Sequence, residues 1–492
     1  MLFNSYVFIF AFLPLTLAVF YAAGGLGSAY MRCWLVITSL YFYGFWNLSL
    51  LPLLIGSIAF NYFAGCIIEN IKLTRPSWRT PTLSITVACN LALLAYYKYA
   101  AFVQNVIEQL IGLPGSPRAE PIPLGISFFT FTQIAYLVDI TRHDHSERDP
   151  VRYALFVNFF PHLIAGPILR FREMVPQFAF ASAWSYGLQN IVIGATIFCF
   201  GLFKKVVLAD GVQPFVAVAF SDHRVPNLLD AWTGVLAYTM QIYFDFSGYT
   251  DMAIGLARMF GVIFPINFNS PYQAVSIIDF WRRWHMTLSR FLLDYLYIPL
   301  GGNRSGLGQY PNILITMLLG GLWHGAGWTF VIWGLLHGFY LVINHAWRRA
   351  RPAATRPPSG WRAWLSRCMT FLAVAVAWVL FRAEGLADAK TILSAMIGVH
   401  GLGSVGNLCE CTFGIPAAWY WIAALSGIAF FAPNTQQIMG HWNPTLEDIR
   451  VTRVRTPLTF APTVPWAVAM GLLAAIAIAG LNKHSQFLYY QF

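Results

Sequence analysis

The sequence predicts an all-α polytopic membrane protein. Of its 492 residues, 58% are hydrophobic and only 10% are charged, against about 25% charged in a soluble domain. Apolar runs near spanning length recur along the whole chain, and the basic residues gather in the short loops between them. No stretch between these runs is long enough for an ordinary soluble domain. The chain therefore reads as one integral-membrane domain over 1–492, with its core at 122–346 and a tail at 482–492.

A spanning helix needs about 20 mostly apolar residues. Eleven segments qualify: 2–22, 30–47, 49–68, 82–103, 122–140, 186–208, 228–246, 312–346, 366–382, 413–433 and 462–481. The segment 312–346 is too long for one clean span and reads as broken. Segments 151–172 and 272–300 are apolar but interrupted by Pro, Arg and His, so they read as re-entrant or interfacial. Such backbone survives at membrane depth only when buried in protein or lining a cavity. The start, Met1-Leu-Phe-Asn-Ser-Tyr, lacks the basic region of a cleaved signal and reads as a retained first span.

The net charge of +11 does not indicate nucleic acid here. Loops 69–80, 141–152, 348–367 and 449–455 hold clustered Lys and Arg, and the positive-inside rule places them in the cytoplasm. Loops 104–121 and 385–412 carry less positive charge and face outside. Counting spans from these loops puts both termini outside the cytoplasm, whereas the side of Lys204-Lys205 stays unassigned. Seven cysteines are scattered, and Cys409-Glu-Cys411 lacks zinc-site partners at the usual spacing, so no metal is expected.

Polar residues in the apolar core are the candidates for chemistry, since a bilayer makes them expensive. His324 lies in Gly320-Gly-Leu-Trp-His-Gly-Ala-Gly-Trp328. It can act as a general base or as a packing residue bonded to a neighbouring helix. His285 lies in Phe280-Trp-Arg-Arg-Trp-His-Met-Thr-Leu-Ser289. At helical spacing Trp281, Trp284, Leu288 and Phe291 share a face, which predicts a continuous amphipathic helix. Thirty-nine residues separate the two histidines, so they can meet only across a bundle. Asp245, beside Tyr243, Tyr249 and Asp251, needs a buried partner, for which Arg282 or Arg283 is expected. His337 is expected several turns along the helix of His324 in a structural role, and His162 is read similarly within a cavity-lining segment. The chain has no Gly-rich phosphate loop, nucleophile elbow or zinc-protease motif, which disfavours an ATP-driven pump and a standard serine hydrolase. A channel or transporter without covalent chemistry remains a rival reading on these residues alone.

Seven motifs carry a resemblance. They are Met1-Leu-Phe-Asn-Ser, Pro123-Leu-Gly-Ile-Ser-Phe-Phe-Thr-Phe, Phe160-Pro-His-Leu-Ile-Ala-Gly-Pro, Tyr243-Phe-Asp-Phe-Ser-Gly-Tyr-Thr-Asp, Phe280-Trp-Arg-Arg-Trp-His-Met-Thr-Leu-Ser, Tyr297-Ile-Pro-Leu-Gly-Gly-Asn-Arg304 and Leu322-Trp-His-Gly-Ala. With them the chain resembles the membrane-bound O-acyltransferase superfamily, in its bacterial branch of alginate O-acetylation, peptidoglycan O-acetylation and teichoic-acid D-alanylation proteins. The resemblance implies a ring of about eleven helices around a central tunnel. It implies an essential histidine at His324 and a second polar active-site residue at His285. It also implies an acyl donor entering from the cytoplasm, with acetyl-CoA the expected donor substrate, and an extracytoplasmic partner acetyltransferase that passes the group to an exported polysaccharide. That places the protein in the bacterial inner membrane. The end of the chain, Phe487-Leu-Tyr-Tyr-Gln-Phe492, resembles a C-terminal acyl-relay motif and makes Tyr489 a candidate acyl acceptor. An interfacial aromatic anchor is the other reading of that segment.

Overall fold

The computed structural model describes residues 1–112, 122–142, 145–180, 186–221, 225–304, 308–351, 358–403, 414–447, 458–482 and 488. These residues form helices and turns without a strand among them. Five described helices are long and apolar enough to cross a membrane: Leu48–Thr74, Pro76–Ile111, Gly187–Phe220, Trp328–Ala350 and Gly360–Arg382. Phe8–Gly24, Ala417–Phe431 and Val464–Ala479 are shorter apolar helices. Each of the eleven expected positions holds a helix, yet length and composition certify only these five as spans.

Two compact units share the chain. The first comprises 1–200, 249–265 and 442–448, and the second comprises 201–248, 266–441 and 449–492. In the first unit, α1 (Leu13–Gly24), α2 (Ser28–Gly44), α3 (Leu51–Thr74) and α4 (Arg79–Ile111) lead to α5 (Ile126–Arg142). Buried amides tie α3 to α4, with Asn61 and Asn90 donating to each other at 3.0 and 2.8 Å. A lone buried amide in an apolar bundle would leave donors unmade, so the reciprocal pair fixes the register of the two helices. Glu69 is held by Arg148 at 2.7 Å and by the Ser146 hydroxyl. The segment 151–172 is broken as expected, into α6 (Pro150–Asn158), α7 (Phe160–Leu163) and the start of α8 (Phe171–Met174). There His162 meets the Phe156 carbonyl at 3.0 Å through Nε2, a structural bond between neighbouring turns.

The second unit holds the residues singled out for chemistry. A helix that begins as α9 (Gly187–Phe203) in the first unit continues through a π-helical segment, Lys204–Ala209, into α10 (Asp210–Phe220). The next long helix, α11 (Leu228–Met259), contributes Tyr243 to Phe246 to the second unit. The expected amphipathic helix around His285 is instead broken into α12 (Ile277–Trp281) and α13 (Met286–Leu292), with a turn at 282–285. A 3.6-residue pattern fits both pieces and cannot reveal the break. The expected break in 312–346 is present, separating α14 (Gln309–His324) from α15 (Trp328–Ala350). His337 therefore lies on a different helix from His324, contrary to the expectation from sequence.

α14 and α15 pack on glycine. A Cβ on Gly321 would lie 2.4 Å from the Phe330 carbonyl oxygen, and one on Gly334 would lie 2.4 Å from that of Met317. Neither contact leaves room for a side chain, so the backbones touch directly. Beyond them run α16 (Gly360–Arg382), α17 (Leu386–Met396), α18 (Gly414–Phe431) and α19 (Thr435–Ile438), and then α20 (Val464–Ala479).

Candidate active site

His324 ends α14, and the extended Gly325 turns the chain towards α15. A Cβ at Gly325 would meet the Phe330 ring at 2.2 Å, so this turn is closed to larger residues. His324 is 4% exposed. Its ring is walled by Trp323, Trp333 and Phe381, with centroids at 4.8, 5.1 and 5.3 Å.

His285 is fully buried at the turn between α12 and α13. Its φ of 43° puts a bulky residue in the left-handed region. Such a residue costs about 1–3 kcal/mol and persists only where its surroundings over-determine it. Asn267 supplies that constraint. Its backbone carbonyl accepts from Met286 N–H at 2.9 Å. Its side-chain oxygen accepts from Thr287 N–H at 3.2 Å and from the Thr287 hydroxyl at 2.9 Å. The same oxygen lies 3.1 Å from His285 Nδ1. A backbone N–H can only donate, so the Asn267 atom is the oxygen, and His285 must carry its proton on Nδ1. Nε2 then presents a lone pair. His285 lies outside every candidate span, and burial pushes its imidazole down to about 3, which keeps the ring neutral.

The two histidine rings stand 6.4 Å apart, tilted by 58°. This leaves ~4 Å between the nearest ring atoms, beyond direct hydrogen-bond reach. Phe246 closes edge-on against His285 at 4.8 Å, and Trp323 stands 6.0 Å from it. Two imidazoles packed this closely without bonding each other can both address one group that comes within hydrogen-bond reach of each. Behind His324, Trp333 also meets His337 at 4.9 Å. Trp281 Nε1–H donates to His337 Nδ1 at 3.3 Å, which fixes that ring and marks it as support for the aromatic wall.

The structure corrects the expected partner of Asp245. Arg283 pairs with Asp279 at 2.9 Å. The cation at Asp245 is Lys205, at 2.7 Å, and Lys205 also holds Asp210 at 2.8 Å. The sequence reading also missed Asn267. Its signal was a polar residue in the Pro-flanked apolar run Pro265-Ile-Asn-Phe-Asn-Ser-Pro271. Tyr489, Cys409 and Cys411 lie outside the described residues. Among the described residues no group of three or more His, Cys, Asp or Glu side chains could hold a metal.

Comparison with known proteins identifies the family. The model of the membrane-bound O-acyltransferase family matches residues 45–382. A peptidoglycan O-acetyltransferase of Helicobacter pylori is 43% identical, over 83% of this chain and 81% of its own. A probable alginate O-acetylase of Azotobacter vinelandii is 45% identical, over 80% of this chain and 78% of its own. A further probable alginate O-acetylase, from Pseudomonas putida, is 39% identical over the full length of both chains. The chain belongs to the membrane-bound O-acyltransferase family and is a multi-pass membrane O-acyltransferase.

Proposed function

We propose that the protein takes an acetyl group from acetyl-CoA on the cytoplasmic side and passes it across the inner membrane for O-acetylation of an exported polysaccharide. The whole chain acts as one acyltransferase domain, with its chemistry in 122–346. The observation that carries this reading is the pair of buried imidazoles 6.4 Å apart in a chain of this family. His324 is the general base. It takes the proton of an attacking hydroxyl as the oxygen adds to the thioester carbonyl. The C–S bond then breaks, the acyl–oxygen bond is complete, and the proton passes to the departing thiolate. His285, its Nδ1 proton engaged by Asn267, orients the reacting group through Nε2.

In this proposal the first acceptor is the Tyr489 hydroxyl, which becomes an acetyl ester and serves an extracytoplasmic partner acetyltransferase. The basic loops support cytoplasmic donor entry and termini on the outer side. Alginate is the favoured acceptor, supported by the full-length similarity to an alginate O-acetylase. Peptidoglycan is the second reading, supported by the Helicobacter pylori relative.

The test supplies labelled acetyl-CoA to one face of proteoliposomes holding the protein and its partner. Label should reach polymer on the opposite face, and mass spectrometry should find an acetylated C-terminal peptide when the partner is withheld. Label retained as acetyl-CoA would reject the donor, and an unacetylated tail with full transfer would reject Tyr489. Transfer to alginate or to peptidoglycan, assayed separately, decides the acceptor. D-alanylated polymer in place of acetylated polymer would move the protein to teichoic-acid chemistry. Transfer that persists in His324→Ala would favour a channel or scaffold.

A further inference from the structure

The histidine pair does not use the charged cluster in the same unit. Lys205 and Asp210 have side chains only 2% and 5% exposed, and Asp245 is equally buried. One ammonium here bridges two carboxylates in an apolar setting. Buried ions persist only when their remaining lone pairs find donors. At Asp245 the division of labour is explicit. Oδ1 faces Lys205 at 2.7 Å, and Oδ2 accepts the backbone N–H of Leu488 at 3.2 Å. Leu488 is itself buried.

A second contact draws the same end of the chain to the same place. After α20 the chain passes through Gly480–Asn482, where a Cβ on Gly480 would lie 2.7 Å from Val206 Cγ1. Val206 belongs to the π-helical segment that presents Lys205. The π turn explains this presentation. Asp210 N–H bonds the Lys205 carbonyl, five residues back, and the two side chains pair along the same edge. An i→i+5 turn of this kind is rare and is frequently found at functional sites. α11 approaches closely as well, since a Cβ on Gly248 would lie 3.0 Å from Lys205 N.

We propose that the Lys205–Asp210–Asp245 cluster is a docking anchor for the carboxyl-terminal segment, with Asp245 as the positioning residue that grips the backbone at Leu488. The proposal rests on the acyl-relay reading for its purpose, because Leu488 directly precedes Tyr489. Undocking strips Oδ2 of its donor from Leu488 inside the protein, so the buried charge itself favours the docked tail. Asp245 also neighbours Phe246, whose ring touches His285, so the anchor is built one residue from a wall of the histidine site.

The test is hydrogen exchange on the full-length protein in lipid nanodiscs, read at Leu488 by tandem mass spectrometry. Asp245→Ala leaves the Lys205–Asp210 pair intact, which makes it the cleanest variant. Exchange at Leu488 should accelerate at least tenfold, while amides of α14 and α15 keep their protection. Asp245→Asn, which retains an acceptor, should restore part of the protection. Acetyl transfer should fall at least tenfold in Asp245→Ala. Wild-type exchange at Leu488 in Asp245→Ala would overturn the anchor. Should that variant not fold, Gly480→Val decides by the same reading, since its side chain presses on Val206 without altering a charge. Unchanged exchange there would also overturn the anchor. Accelerated exchange with undiminished transfer would establish the anchor and remove Tyr489 from the reaction.

Discussion

Asp245 and Phe246 are consecutive residues of α11, yet they serve two polar sites built on opposite principles. Asp245 joins a cluster of full charges with contacts of 2.7 and 2.8 Å. Phe246 walls a site whose polar groups are imidazoles and a neutral amide, with the histidine rings 6.4 Å apart. At an effective dielectric of 20, two unit charges 4 Å apart attract by about 4 kcal/mol. That suits holding, because every atom gains by staying in place. A reacting centre needs the reverse, a lone pair that is oriented and still available. Asn267 contributes orientation by engaging Nδ1 of His285, which fixes the plane of the ring. In the proposed mechanism charge serves where the fold must grip, and neutral bases serve where a proton must move.

This contrast can be broken at either end. His324→Ala should lower acetyl transfer by about 100- to 10,000-fold, the range of a lost general base, with expression and thermal unfolding unchanged. A fall in unfolding temperature as large as the fall in rate would make His324 a packing residue. Lys205→Met should act the other way round. It leaves Asp210 and Asp245 buried without their shared cation, at about 3–5 kcal/mol of stability. Thermal unfolding in detergent should show a larger loss for Lys205→Met than for Asp245→Ala, which keeps one complete pair. Equal losses would mean that the cluster is not electrostatically coupled. Asn267→Ala should reduce kcat by about 10- to 100-fold through misorientation of His285, with little change in the KM for the donor. The smallest effect is expected from Arg283→Gln. Its pair with Asp279 is partly exposed and contributes at most about 1 kcal/mol, so unfolding should barely move.

Much of the fold was readable because apolar length is a one-dimensional property. The helices at all eleven expected positions follow from it, as does the break ahead of Trp328, where Gly325 and Gly327 interrupt an overlong run. Long-range pairing is not written in local pattern. Nothing near Asp245 named Lys205, forty residues earlier, and the nearer arginines were the obvious candidates. The break at His285 was equally hidden. It is imposed by Asn267, eighteen residues upstream, on a stretch whose own spacing suits an uninterrupted helix. The histidines could be nominated from sequence as residues too polar for their surroundings, but their 6.4 Å separation is a property of the packed unit.

The π-helical segment Lys204–Ala209 makes helix length a carrier of chemical information. Lys205 meets Asp210 because five residues, where an α-helix would use about four, close that turn. Deleting one apolar residue between them would leave composition, hydropathy and spanning length almost untouched, yet it would remove the π turn on which Lys205 and Asp210 sit. Among relatives of this chain, the number of residues between that lysine and that aspartate should therefore be guarded more closely than the identity of the apolar residues counted.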